Sequence, residues 1–69
     1  MTPAALARIG AALFGTRWQR ELARALPVDD RLVRRWAAGE RPIPGWVGPK
    51  LREIARKRAR QIRKSIPLT

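Results

Sequence analysis

Three arginine side chains near the middle of the chain have the type and the spacing to bind an anion. Arg31, Arg34 and Arg35 stand at positions i, i+3 and i+4, so a helix through them carries all three on one face. A guanidinium group donates paired hydrogen bonds to phosphate or to the O6 and N7 atoms of guanine. The spacing predicts a helix face that contacts a base or a phosphate of DNA; the competing interpretation is a charged face that contacts only water.

The residues around these arginines have the pattern of two crossing helices. Small or apolar side chains recur at helical spacing within the segment 19–38, at Leu22, Ala23, Leu26, Val28, Val33 and Trp36. They form two stripes, with Val28 between them where the helices cross and the small Ala23 where the helices approach closely. The pattern predicts a helix-turn-helix over about residues 18–38, whose second helix carries the arginines.

Two carboxylates stand at the start of that second helix. Asp29 is predicted to cap the helix, because its side-chain oxygen can accept hydrogen bonds from free backbone N–H groups. Asp30 has two interpretations. It accepts a hydrogen bond from a cytosine amino group, or it holds Arg34, four residues later, in its working rotamer; we favour the second role.

The charge of the chain restricts both its partners and its chemistry. Its 69 residues include 16 Lys and Arg against five Asp and Glu, a formal net charge of +11, and neither His nor Cys. Because thiols and imidazoles are missing, we expect no enzymatic activity, no cofactor and no metal site. An excess of positive charge this large in a short chain indicates a polyanionic partner, usually nucleic acid.

Local signals divide the chain into helices. Pro3 favours a helix start, Gly15 ends the first helix, Pro27 breaks the chain between the second and third, and Gly39 ends the third. We predict helices over about 3–14, 17–26, 30–38 and 48–65. The expected fold is all-α, one compact domain of four to five helices over residues 1–69.

Two local contacts are expected at the start of the second helix. Thr16 has a side chain that can cap it, and Arg17 and Glu21 stand at i and i+4, the spacing of a helical ion pair. Both contacts would fix the first turn of this helix.

The C-terminal segment, about residues 47–65, is predicted to form a long, basic, amphipathic helix. Val47, Leu51, Ile54, Ala55, Ala59, Ile62 and Ile66 follow one stripe, and Lys50, Arg52, Arg56, Lys57, Arg60, Arg63 and Lys64 lie on the other face. The stripe is longer than one small core needs, so we expect its end to meet a second copy in a homodimer. The basic face has three interpretations: contact with phosphates, contact with an anionic membrane, or solvation.

The three tryptophans have two interpretations, stacking on unpaired bases or packing in the core, and core packing is the better one. Trp36 falls on the stripe of Val33, Trp18 opens the second helix, and Trp46 follows a proline-rich connector. Each is therefore expected to be a large side chain of a small core.

Targeting signals are not expected in this sequence. The apolar segment from Pro3 to Phe14 is interrupted by Arg8, and no cationic stretch precedes it, which argues against a signal peptide. No uncharged run exceeds eight residues, whereas about 20 are needed to span a bilayer. We expect a cytoplasmic, nucleoid-associated protein without a membrane segment or a small-molecule ligand.

Several short motifs together resemble the small phage-repressor-like helix-turn-helix proteins (Cro and XRE types) of bacteria and their phages. The motifs are Ala12-Leu13-Phe14-Gly15, Arg17-Trp18-Gln19, Leu22-Ala23, Val33 to Glu40 and Ile43-Pro44, within about residues 12–50. The resemblance implies a lambda-repressor-like fold in which the second motif helix enters the major groove. Pro27 departs from the family where a glycine with positive φ is usual, because proline cannot adopt that φ.

The resemblance also implies roles for individual residues. Gln19 corresponds to a glutamine that commonly holds a phosphate, and the three arginines of the second motif helix match base-facing positions. The predicted base contacts are Arg31, Arg34, Arg35 and Asp30, and the predicted phosphate contacts are Arg17, Gln19, Arg20, Arg41 and Lys50. We expect a sequence-specific, double-stranded DNA-binding transcriptional regulator of the repressor kind; the alternative is a nonspecific architectural or protein-interaction module.

Overall fold

Helices make up most of the chain. The computed structural model describes residues 1–66, so the last three residues of the predicted domain lie outside the described part. The α-helices are α1 (Pro3–Phe14), α2 (Trp18–Ala25), α3 (Asp30–Ala37) and α4 (Val47–Ser65), and a 3-10 turn, Gly15–Arg17, joins α1 to α2. Residues 1–66 contain no β-strand, which confirms the all-helical class.

Local sequence signals set the ends of the helices. Thr2 Oγ1 accepts a hydrogen bond from the N–H of Ala5 at 3.1 Å, and Pro3 lies in the first turn of α1, where its missing donor costs nothing. Gly39 follows α3 with φ +75°, in the left-handed region that favours glycine. The predicted ends of these helices lie within one residue of the observed ends.

The core lies where α1, α2 and α3 meet, and the start of α4 closes it. Its buried side chains are Leu6, Leu22, Ala23, Leu26, Val33, Trp36, Val47 and Leu51. Trp36 is the largest of them and is 2 % exposed, which confirms its predicted core position. Trp46 is 49 % exposed and is not a core residue. It stands just before α4, where its ring meets the ring of Trp36 in a T-shaped contact with the centroids 6.4 Å apart.

The connection between α2 and α3 turns without a left-handed residue. It comprises the four residues from Leu26 to Asp29, and none of them has a positive φ. The N–H of Val28 donates to the carbonyl of Ala23 at 2.9 Å, which closes the C-terminal end of α2. Pro27 is therefore compatible with a short turn between these helices, although the turn differs from the glycine-containing one of the family that the motifs resemble.

A glycine allows α1 and α2 to pack closely. Gly10 is buried, and a Cβ built on it would overlap the Trp18 ring, lying 2.8 Å from Trp18 Cδ2. The indole is half-buried against the backbone of α1. Because Trp18 is the first residue of α2, this contact fixes where α2 begins relative to α1.

The expected contacts at the start of α2 are wrong in two respects. Among the described residues, Glu21 pairs with Arg24 at 3.7 Å rather than with Arg17, because Arg17 lies in the 3-10 turn and not on α2. Thr16 does not cap α2 either, since Arg17 occupies the N-cap position and no side chain bonds to the helix there. The 3-10 turn thus replaces the predicted cap.

The second half of α4 extends beyond the core. Ile54 is half-buried, and every residue from 56 to 66 is exposed. The molecule measures 48 Å along its longest axis and 22 × 21 Å across it. Ile62 and Ile66 are 55 % and 58 % exposed, so the apolar stripe does continue past the core, as predicted. Within residues 1–66, no helix has the length and apolar composition needed to cross a bilayer.

Candidate nucleic-acid interface

A carboxylate cap starts α3. Asp29 Oδ1 accepts a hydrogen bond from the backbone N–H of Arg31 at 2.9 Å, which confirms the capping role predicted for Asp29. This hydrogen bond is the main cause that lowers the pKa of the Asp29 carboxyl, with help from Asp30 and the nearby arginines and against the opposing effect of desolvation. The cap therefore stabilises α3 at neutral pH and is lost only in acid, as the pH falls through that lowered pKa.

The arginines of α3 lie together at the surface. Arg31, Arg34 and Arg35 are exposed and line one shallow cleft. Asp30 Oδ2 lies 3.6 Å from Arg34 Nη2, at the i,i+4 spacing noted in the sequence. Both side chains are about half exposed, so the pair contributes little to stability.

A larger cleft separates the start of α2 from α3. It has a volume of about 560 Å³ and is lined by Thr16, Arg17, Trp18, Gln19, Arg20, Asp30 and Arg34. The N-terminal end of α2 lines this cleft, and the helix dipole favours an anion at that end. The structure therefore brings three predicted phosphate contacts, Arg17, Gln19 and Arg20, next to two predicted base contacts.

The two clefts adjoin at Arg34, which lines both of them. We call the joined surface, made of Arg17, Gln19, Arg20, Asp30, Arg31, Arg34 and Arg35, the arginine surface. It carries five guanidinium groups, and the two clefts contain two carboxylates, those of Asp30 and Glu40. A concentration of one sign of charge like this attracts a polyanion over several ångströms before any contact forms.

Two predicted phosphate contacts lie outside the arginine surface. Arg41 lines a separate cleft with Met1 and Pro3. Lys50 is in the first turns of α4 and pairs with Glu53 at 3.6 Å. The backbone N–H of Arg41 donates to the carbonyl of Arg35 at 3.4 Å, so Arg41 adjoins the end of α3, whereas Lys50 follows the proline-rich connector.

Arg58 makes tertiary contacts that the sequence interpretation did not assign. Its Nη1 donates to the carbonyl of Leu13 near the C-terminal end of α1, and its guanidinium carbon lies 5.1 Å from the centre of the Phe14 ring. A cation is favourable both at that end of a helix dipole and over an aromatic face. A signal was present in the sequence: Arg58 stands seven residues after Leu51 and four before Ile62, a cation within the apolar stripe of α4.

Removal of Arg58 should weaken the attachment of α4 to α1. We expect Arg58→Ala to lower the free energy of unfolding by about 1 kcal/mol, because it removes a charge-assisted hydrogen bond and a cation–π contact at an exposed site. Arg56→Ala, at an exposed position on the same helix, is the matched control and should change stability by less than about 0.5 kcal/mol. Urea unfolding followed by tryptophan fluorescence measures both variants. Equal effects would contradict the role assigned to Arg58.

The arginine surface is assembled from two helices and the turn that precedes them. α3 supplies Asp30 and three arginines, and the start of α2 with its 3-10 turn supplies the rest. The apolar core beneath holds α2 and α3 in a fixed relation, so the guanidinium groups are presented as one set. Comparisons of the chain with protein-family models, with curated proteins and with solved structures find no match.

Proposed function

We propose that the protein is a sequence-specific double-stranded DNA-binding regulator of transcription. In this proposal α2, the four-residue turn and α3 form a helix-turn-helix within a lambda-repressor-like arrangement, and α3 enters the major groove. The observation that carries the proposal is the arginine surface: Arg31, Arg34 and Arg35 are exposed together on α3, beside a cleft at the start of α2. Such a surface suits a mode of DNA recognition in which one helix contacts bases and the neighbouring helix contacts the phosphate backbone of the DNA.

The chemistry of α3 suits the edges of bases in the major groove. The groove is about 12 Å wide and admits one helix, and an arginine bonded to O6 and N7 of guanine is the commonest specific contact there. Asp30 keeps the Arg34 guanidinium near its position before DNA arrives, which reduces the entropy lost on binding. Arg31, Arg34 and Arg35 are therefore proposed to contact bases, with Asp30 as the positioning residue.

The start of α2 suits the phosphate backbone. Arg17, Gln19 and Arg20 stand at the positive end of the helix dipole and face the same cleft as Arg34. Arg41 and Lys50 line neither cleft of the arginine surface, so the phosphates they contact would lie outside the part of the DNA that those clefts hold. Occupation of an operator in this way would block RNA polymerase, which is the action of a repressor, and needs no cofactor.

We propose that two copies of the chain bind a two-fold symmetric site. Ile62 and Ile66 are more than half exposed at the end of the apolar stripe of α4, where a second α4 could cover them. Sedimentation equilibrium across a range of protein concentrations, with and without DNA, measures the stoichiometry. A complex with one chain per site at every concentration would rule out the homodimer.

Selection of bound duplexes from a random pool tests the proposed function. At about physiological ionic strength the screening length is roughly 8 Å, so weak nonspecific attraction is suppressed. We expect an enriched motif with two inverted half-sites. Recovery without any motif would favour a second function, sequence-independent binding of nucleic acid, for which the cations of α4 are the supporting observation.

A further inference from the structure

The second half of α4 carries a concentration of charge that the proposed function does not use. We call the segment 56–65 the basic arm. It contains Arg56, Lys57, Arg58, Arg60, Arg63 and Lys64, and it contains no acidic residue. Its residues are exposed, and only Arg58 contacts the body of the molecule among the side-chain contacts of the described residues.

The charges of the basic arm repel one another. Arg56, Arg60 and Lys64 are spaced four residues apart, so they form one row along the helix, and like charges at this spacing destabilise a helix. Among residues 1–66 the ion pairs of α4 are confined to Lys50 and Glu53, before the arm begins. A helix with this row gains stability when a polyanion neutralises it.

The arm begins at the edge of the arginine surface. Arg58 and Arg17 line the same cleft, together with Phe14 at the end of α1. Arg17 also lines the larger cleft that contains Gln19 and Arg34. Cations thus follow one another from α3, through the start of α2, to Arg58, with the carboxylates of Asp30 and Glu21 between them. From there the seven residues that follow within α4 extend about 10 Å farther.

We propose that the basic arm binds the phosphate backbone of DNA next to the site that α2 and α3 occupy. This inference rests on the proposed function, because it takes the duplex held by the arginine surface as the arm's ligand. Duplex DNA carries one negative charge for about every 1.7 Å of its axis, so an arm of 10 Å passes several phosphates. The contacts carry no sequence information; they add affinity that depends on salt.

Two other partners explain the row of cations less well. A second copy placed on Ile62 and Ile66, as in the proposed homodimer, leaves Arg60 and Lys64 facing away, because each lies two residues from Ile62, about 160° around the helix. Insertion into an anionic membrane needs a broad apolar face, and beyond Arg58 the arm offers little more than one isoleucine before Ile66. The second copy therefore leaves the row without counter-charges, and a membrane would hold the arm by charge alone.

The arm variant Arg60→Gln, Lys64→Gln tests the proposal on the full chain. Glutamine has a helix propensity close to that of arginine and lysine, so the helix is retained. The control variant Ala4→Glu, Arg8→Gln makes the same change in net charge at two exposed positions of α1. Fluorescence anisotropy gives the Kd for a labelled duplex that contains the selected sequence with ten flanking base pairs on each side, over a range of salt concentrations.

We expect the slope of log K against log salt to be smaller by about two in the arm variant, because each phosphate contact contributes about 0.9. Between about 50 and 200 mM salt the wild-type chain should therefore lose about tenfold more affinity than the arm variant. The control variant should keep the wild-type slope, and all three proteins should keep the same sequence preference.

The outcomes separate the arm from the proposed function. A wild-type slope in the arm variant, or an equal change in the control, would overturn the role of the arm. The same proteins are also tested on vesicles of phosphatidylglycerol and phosphatidylcholine. If the wild-type chain binds these vesicles and the arm variant does not, while the two bind DNA alike, the role of the arm in DNA binding is overturned and the arm is assigned to a membrane. If the arm variant has a reduced slope but the wild-type chain binds all sequences equally, the result would support the role of the arm and reject sequence-specific regulation.

Discussion

The double variant Arg34→Ala, Arg35→Ala should lose its preference for the selected sequence while it keeps part of its affinity for any duplex. A bidentate contact with guanine contributes roughly 1–3 kcal/mol of discrimination, so the removal of two should reduce the preference by about 30-fold or more. We expect the remaining affinity to come from the phosphate contacts proposed for the start of α2, whose residues the variant retains. Alanine favours a helix, and both positions are exposed, so α3 should still form.

Competition binding measures this prediction directly. The selected duplex and a scrambled duplex of the same length compete for each protein, and the ratio of the two affinities is the preference. Arg8→Ala, Arg52→Ala is the matched control, because it removes two exposed arginines that line neither cleft of the arginine surface. A uniform loss of affinity across both duplexes, with the ratio unchanged, would show that α3 contributes only charge.

The same substitution at two glycines should have different effects on stability. Gly10→Ala is expected to lower the free energy of unfolding by about 1–3 kcal/mol, because its Cβ would overlap the Trp18 ring and force α1 and α2 apart. Gly48→Ala should change it by less than about 0.5 kcal/mol: the new Cβ would lie 3.6 Å from Met1 Cε, an ordinary contact, and the gain in helix propensity is offset by the crowding of a Cβ against the ring of Pro49, the next residue. In a chain of 69 residues the loss expected for Gly10→Ala is a large share of the total stability.

Thermal unfolding followed by circular dichroism distinguishes the two glycines. The Gly10 variant should also bind DNA more weakly at temperatures where it remains folded, since Trp18 lines the cleft of the arginine surface. Equal stability of the two variants would mean that Trp18 moves aside without cost, and the close packing of α1 against α2 would then not fix the start of α2.

Most of the helical structure could be predicted because its signals are local. Pro3 in a first turn, Gly39 in the left-handed region and Asp29 as a cap each act on backbone groups within a few residues. The stripe with Val33 and Trp36 likewise depends only on the helical period. Signals of this kind do not require knowledge of how the helices pack.

The predictions that are wrong or missing concern how helices and connectors pack against one another, or the residue at which α2 begins. Glu21 pairs with Arg24 and not with Arg17, because Arg17 lies in a 3-10 turn, whose spacing differs from that of an α-helix. The size of Trp46 predicts a core position, but its exposure depends on the path of the connector before α4. The close contact of Gly10 with Trp18 could not be predicted from the sequence, because it depends on how α1 and α2 pack and no local pattern marks a glycine within α1.

The part of the candidate site that lies on α3 could be predicted from the sequence. The spacing of Arg31, Arg34 and Arg35 determines a common face once the helix is known, and they do lie together. The phosphate candidates come from several elements, so only packing could separate Arg17 from Arg41 and Lys50. The contact of Arg58 with α1 was missed for the same reason, although its place on the apolar stripe was a signal.

The most direct test of base recognition by α3 removes one acceptor atom from the DNA. Guanines of the selected motif are replaced one at a time by 7-deazaguanine, which lacks N7, and the Kd is measured for the wild-type chain and for Arg34→Ala. If Arg34 bonds to a guanine, one replacement should weaken the wild type by about tenfold and leave the variant unchanged, as expected for two halves of one interaction. If every replacement weakens both proteins equally, or neither, and the same holds for Arg31→Ala and Arg35→Ala, these arginines do not read guanine, and the central claim is contradicted.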